Sequence, residues 1–181
     1  IQNMKLQELL QGFQVLQTLG STDIEVSGIQ SDSRRVAPGN IFVAQAGTVV
    51  DGHAFIPQCI EKGASVIVLD NPSHMPTTPD KATYLLVKSS DEALGKMAHN
   101  WYGQPSKSLK LLGVTGTNGK TTPATLLYRL FKALGHKVGL LSTVINYVDD
   151  QAIPATHTTP DALSLNALLA QMVQAGCTYA F

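Results

Sequence analysis

Residues 111–134 constrain the fold more than any other stretch. An apolar run, residues 111–115, leads into glycines at 113, 116 and 119, then the pair Lys120 and Thr121, then residues 121–134 with apolar positions at helical spacing. Strand, glycine-rich turn and helix in this order make half of a βαβ unit, and such units build parallel sheets covered by helices. The turn carries chemistry of its own. Glycines let successive backbone N–H groups curl toward one point, the helix N-terminus adds partial positive charge, and the lysine reaches out from the same place. Together these bind the phosphates of a nucleotide, with the hydroxyl after the lysine placed to ligate magnesium. The general G-x-x-x-x-G-K-[ST] pattern is not met in full, because its first glycine falls on Val114. Pro123 lies in the first helical turn, where a missing N–H is tolerated.

The rest of the chain reads as α/β. A short amphipathic helix is expected over residues 4–10, strands over 24–29 and 41–44, a helix over 54–62 stopped by Gly63, and strands over 66–69 and 84–87. Ser90 or Asp91 caps a helix running to about Trp101. Residues 103–110 have linker composition, so a boundary is placed near 107: residues 1–107 form a small N-terminal α/β domain, and 108–181 begin a parallel-sheet ATPase domain. In the latter, strands are expected at 111–115, 138–141 and 177–181, with helices at 121–134 and 161–175. A three-strand parallel sheet of this kind leaves an open edge, so the chain reads as the front part of a longer protein.

Lys plus Arg equals Asp plus Glu, 13 against 13. No global field therefore attracts nucleic acid or an anionic membrane, and phosphate recognition must be local. Cys59 and Cys177 stand far apart in apolar or small-residue surroundings and read as reduced packing cysteines. No apolar stretch approaches the length of a membrane span, and a cytoplasmic location is expected. The other histidines, His53, His74, His99 and His136, lack metal-ligand spacing and read as surface or packing residues.

Gly116, Thr117, Asn118, Gly119, Lys120, Thr121 and Thr122 resemble the phosphate loop of the Mur ligases and of their folylpolyglutamate synthetase relatives, whose variant explains the shifted glycine. Three further stretches are similar to Mur ligases that add the third residue of the peptidoglycan stem peptide. These are Asp32, Ser33 and Arg34 with residues 38–43, then residues 47–55, and residues 158–161. The resemblance implies that the first domain holds UDP, with Ser31 and Ser33 beside the uridine and diphosphate and Thr48, Val49 and Val50 lining the uracil pocket. It makes Thr158 and Thr159 contacts for the muramyl-peptide portion. On residue type alone, residues 32–34 read rather as a polar turn with a local salt bridge, and only the resemblance favours a binding role. Thr158 and Thr159 read equally as the approach to a helix.

The same resemblance implies ATP and Mg2+ as cofactors, with Lys120 and Thr121 catalytic. The implied substrates are UDP-MurNAc-L-Ala-D-Glu and a diamino acid, meso-diaminopimelate or L-lysine. An acyl phosphate forms first and the amine then attacks it. Further groups that the family requires, a Glu and a His after the last strand, a carbamylated lysine and a C-terminal domain, are not among these residues, so binding without turnover is expected of them. Two alternatives stand beside this one: a folylpolyglutamate synthetase relative, which would lack the preceding UDP-binding domain, and a UDP-sugar or nucleotide-binding module without catalysis. A regulatory GTPase would show an Asn-Lys-x-Asp segment, and none occurs.

Overall fold

In the computed structural model, which describes residues 2–156 and 160–181, the chain folds as two units, Ile1–Trp101 and Tyr102–Phe181. The first contains β1 (Met4–Lys5), α1 (Leu6–Leu9), β2 (Val15–Leu19), β3 (Glu25–Val26), β4 (Gly28–Gln30), β5 (Asn40–Val43), α2 (Ile56–Glu61), β6 (Val66–Leu69), β7 (Thr83–Val87) and α3 (Ser90–Trp101). Its main sheet runs β2-β7-β6-β5-β4, with β4 to β7 mutually parallel and β2 antiparallel at one edge.

Every residue of β5, β6 and β7 is buried, as continuous apolar runs must be when helices cover both faces of a sheet. Alternate side chains divide between those faces. Phe42, Ile67, Leu69, Tyr84 and Leu86 pack with Ile56 and Cys59 of α2. Opposite them lie Ile41, Val43, Val66, Val68, Leu85 and Val87, on the side where α3 meets β6 and α1 meets α3. Helix α3 presents Ala93, Leu94, Met97 and Ala98 at helical spacing. The Asp70 carboxylate, at the end of β6, accepts the Ser90 N–H at the head of α3.

The second unit contains β8 (Lys110–Leu111), α4 (Thr121–Ala133), β9 (Val138–Leu140), β10 (Ile145–Val148), β11 (Gln151–Pro154), α5 (Ala162–Gln174) and β12 (Tyr179–Ala180). The sheet order is β11-β10-β9-β12-β8. Strands β9, β12 and β8 are parallel, and the β10–β11 hairpin adds two antiparallel strands beside β9. Helices α4 and α5 cover opposite faces. Tyr128 and Ala124 of α4 pack on Val138, Leu140 and Phe181, whereas Leu169 and Met172 of α5 pack on Leu109, Val148, Cys177 and Ala180.

Several expectations need correction. The sheet of the second unit has five strands rather than three, because residues 145–154 fold into a hairpin whose turn has no glycine: Asp149 itself takes φ +52°. The strand expected over 24–29 is two short strands, since Glu25–Val26 pairs with β1 and Gly28–Gln30 pairs with β5. The helix expected over 4–10 is a single turn preceded by a strand. The first turn of the helix expected over 54–62 is a 3-10 turn, Gly52–Phe55. Strand β2 carries no apolar alternation that would have disclosed it.

Candidate functional site

The glycine-rich loop leaves β8 and ends at Lys120, the residue preceding α4. Gly119 has φ +75°, a left-handed conformation, with nothing within 4 Å of where a Cβ would stand. The requirement there is therefore one of backbone conformation and not of space. Lys120 folds back over the loop, and its Nζ donates to the Gly116 carbonyl at 2.6 Å. Thr121 is the first residue of α4, so its hydroxyl stands at the positive end of a 13-residue helix. Residues 113–119 are exposed and Lys120 is half-buried.

Strands β8, β9 and β12 are parallel, so the loops that follow them emerge at one end of the sheet, where open α/β sheets hold ligands. A cavity of about 550 Å³ lies there. Lys120, Thr121, Ser142 and Thr143 give it polar lining, and Leu112, Val114, Leu141, Leu165 and Leu169 an apolar wall. Ser142 and Thr143 did not figure among the sequence candidates. Their only signal is position, directly after an apolar strand at the sheet end that also carries the glycine-rich loop. Ser142 is oriented by its neighbours: its N–H donates to the Asn146 side chain, and its Oγ exchanges hydrogen bonds with Ile145.

In the first unit, Ser31 directly follows β4 and Ser33 opens a 3-10 turn, Ser33–Arg35. Thr48, Val49 and Val50 lie in the loop after β5, all exposed, Val49 at 92%. Because β4 and β5 are parallel neighbours, both groups emerge at the same end of that sheet. The Ser33 carbonyl accepts from Lys62 Nζ at 2.8 Å, which fixes the turn. Asp32 and Arg34 form the local pair that residue type alone suggested, with Nε and Nη2 of the guanidinium on both carboxylate oxygens at 2.8–3.2 Å. The hydrogen bonds from the Arg34 side chain and backbone lower the Asp32 pKa to about 2. Thr158 and Thr159, like His157, fall outside the described residues.

The histidines differ sharply. His53 is 1% exposed and fully hydrogen-bonded. Its Nδ1 lies 2.7 Å from Asp51 Oδ1, and its Nε2 faces the backbone N–H groups of Asp70 and Asn71 at 3.2 and 3.3 Å. Burial agrees with the packing role expected of it from the sequence; the two main-chain N–H partners are ones that no side-chain spacing shows.

A glycine-rich loop ending in Lys-Thr at the head of a helix, leaving the parallel part of a mixed sheet, has the arrangement of P-loop α/β proteins. Two family descriptions match consecutive stretches: "Mur ligase family, catalytic domain" over residues 25–102 and "Mur ligase middle domain" over 114–181. The chain belongs to the Mur ligase family. It is 52% identical over 179 residues to the UDP-N-acetylmuramoyl-L-alanyl-D-glutamate--2,6-diaminopimelate ligase of Parabacteroides distasonis, covering 98% of this chain and 36% of that protein. The proteins of the same name from Bacteroides fragilis and Clostridium tetani are 51% and 42% identical, each again covered over 36% of its length. The chain thus spans about a third of these relatives. A solved structure of a 2,6-diaminopimelate ligase of that name aligns over 99% of this chain and 35% of its own, with TM-score 0.74 and 22% identity. MurF from Acinetobacter baumannii aligns over the same shares with TM-score 0.60 and 22% identity. At that identity these two support the fold. Among the described residues, no helix is long and apolar enough to cross a membrane.

Proposed function

We propose that these residues are the UDP-sugar-binding and ATP-phosphate-binding portion of an ATP-dependent amide ligase. That ligase adds a diamino acid to UDP-MurNAc-L-Ala-D-Glu in the cytoplasm. The observation that carries the reading is the loop of residues 113–120, with Lys120 lying over it at the head of α4 and beside the 550 Å³ cavity. The names of the relatives at 50–52% identity favour 2,6-diaminopimelate as the amino acid.

Residues 1–107 hold the UDP-MurNAc end, and residues 108–181 open the ATP-binding domain. Ser31 and Ser33 hydrogen-bond the uridine and diphosphate, while Thr48, Val49 and Val50 line the uracil. Thr158 and Thr159 meet the muramyl peptide. Hydroxyls and backbone amides suit this task in a chain without excess positive charge. The amides of residues 116–122 cradle the ATP phosphates, and Lys120 Nζ exchanges the Gly116 carbonyl for β and γ oxygens. The Thr121 hydroxyl at the helix head is a hard oxygen donor of the kind magnesium takes and would hold the ion, which would supply charge neutralisation at the transferring phosphoryl group.

In the reaction, a carboxylate oxygen of the D-glutamate side chain attacks the γ-phosphorus and ADP leaves, giving an acyl phosphate. The diamino acid's amine then attacks the acyl carbon, loses a proton and expels phosphate. The chain's own share is positioning and electrostatic stabilisation. Because it spans only 36% of the relatives' length, binding without turnover is proposed for these 181 residues by themselves.

Calorimetric titration with Mg-ADP and with UDP-MurNAc-L-Ala-D-Glu tests the assignment. Both ligands should bind, and Lys120→Ala should weaken Mg-ADP at least tenfold while leaving the UDP-sugar affinity unchanged. Failure of both ligands to bind a folded chain would overturn the reading.

A further inference from the structure

The loop after β5 is closed at its base by two sets of contacts. Gln45 begins it. Its carbonyl accepts from Gly52 N at 2.8 Å, Ala46 and Asp51 form a β-bridge, and Gln45 Nε2 donates to Asp91 Oδ1 in the first turn of α3 at 2.6 Å. The other set passes through one imidazole. Asp51 Oδ1 accepts from His53 N at 3.0 Å and lies 2.7 Å from His53 Nδ1. These bonds from His53 hold the Asp51 carboxyl below the usual carboxylate range. Two backbone N–H groups, of Asp70 and Asn71, aim at Nε2. Nε2 is therefore an acceptor, which places the ring proton on Nδ1 and directs it to Asp51. Asp70 Oδ1 lies 3.3 Å from the same nitrogen, and Asp70 Oδ2 accepts from Ser90 N.

One buried ring therefore joins the loop after β5 to the end of β6, and Asp70 extends the link to the head of α3. These are the carboxyl ends of adjacent parallel strands, where such sheets bind ligands. The tip of the loop, residues 48–50, is exposed, so its shape depends on how its base is held. An apolar side chain at 53 would fill the same space yet leave the Asp70 and Asn71 N–H groups and the Asp51 carboxylate without these partners.

We infer that His53, acting through Asp51, is a positioning residue for recognition of the substrate's pyrimidine-nucleotide end: it holds residues 45–51 in their binding shape without touching the ligand. The inference rests on the proposed assignment of that loop to uracil. It goes beyond that assignment by naming the residue that keeps the loop competent.

The test is calorimetric titration of the 181-residue chain with UDP, with UDP-MurNAc-L-Ala-D-Glu and with Mg-ADP, for wild type, His53→Ala, Asp51→Ala, their double variant and His53→Asn. Thermal melts are run on each sample. His53→Ala should weaken UDP and the whole substrate by the same factor, tenfold or more, with Mg-ADP affinity unchanged. Asp51→Ala should do likewise, and the double variant should add little, because both residues act through one link. His53→Asn places an amide donor near the Nδ1 position and should recover part of the affinity. Should His53→Ala fail to fold, Asp51→Ala carries the test, since its side chain is 47% exposed and its removal opens no core cavity. Wild-type affinity for UDP in a folded Asp51→Ala or His53→Ala variant would overturn the inference while leaving the uracil assignment intact. So would a parallel loss of Mg-ADP affinity and melting temperature, which marks a structural role only. Binding of Mg-ADP but not of UDP or substrate by the wild type would overturn the uracil assignment, and the inference with it.

Discussion

Asp32 and Arg34 stand in the turn proposed to contact UDP, yet the geometry assigns their side chains to each other. Their ion pair is two-toothed but open to solvent, with the Arg34 side chain 85% exposed. Exposed pairs contribute about 0–1 kcal/mol, so Arg34→Ala should change the unfolding free energy by no more than about that amount, as measured by urea denaturation. The pH dependence has a definite sign. The folded pKa of Asp32, about 2, lies below the unfolded value of roughly 3.9. Its contribution is complete above the unfolded value and disappears as pH falls through the folded one. Wild type and Arg34→Ala should thus differ at pH 6 and draw together as pH falls through about 2, with the gap narrowed by salt. A gap that widened toward low pH would mean that Arg34 stabilises through another partner.

Strand β9 and helix α5 meet where the absent side chain of Gly139 makes room for Met172. A Cβ on Gly139 would overlap the Met172 side chain, and Met172 is fully buried. Gly139→Ala should therefore destabilise the second unit by about 1–3 kcal/mol through overpacking, and Met172→Ala by about 2–5 kcal/mol through the cavity left behind. The pair tests the cause. The added methyl partly fills the space that the methionine vacates, so the double variant should be more stable than the sum of the single losses allows. Additivity in chemical denaturation would show that the strand and helix adjust independently. Legibility varies at this scale for related reasons. Strands β6 and β7 were readable because burial on both faces demands unbroken apolar runs, and α3 because Ala93, Leu94, Met97 and Ala98 keep helical spacing. The β10–β11 hairpin was not. Its turn relies on Asp149 at φ +52°, held by Lys132 to Asp149 and Asp150 and by the Tyr128 hydroxyl to the Asp149 carbonyl. Those contacts come from a helix some twenty residues away and replace the Asn-Gly or Asp-Gly pair that usually announces such a turn. The strand, glycine-rich turn and helix around Lys120 were legible for the opposite reason, since they are built from consecutive residues. The place of His53 was not, because two of its partners are main-chain N–H groups just beyond β6, which no spacing of side chains shows.

At the scale of the whole chain, two units with separate cores each contain one cysteine, which makes their integrity separately readable. Cys59 packs beneath the first sheet with Phe42 and Ile67, and burial pushes its thiol up to about 11. Cys177 lies in the core under α5, and its thiol is likewise raised by burial. Reaction requires both exposure and the thiolate. At pH 8 the native chain should therefore label slowly at both positions, and labelling of each should report the opening of its own unit. Ligands binding only the folded form stabilise it according to their concentration relative to Kd. If the proposed division of labour is right, saturating UDP-MurNAc-L-Ala-D-Glu should slow labelling of Cys59, and saturating Mg-ADP should slow labelling of Cys177. Hydrogen exchange should locate the same two effects, with UDP-sugar protecting residues 31–33 and 45–51 and Mg-ADP protecting 113–122. Equal protection of both thiols by either ligand would mean that the units open together, and binding in one would then stabilise the other without any contact to the ligand.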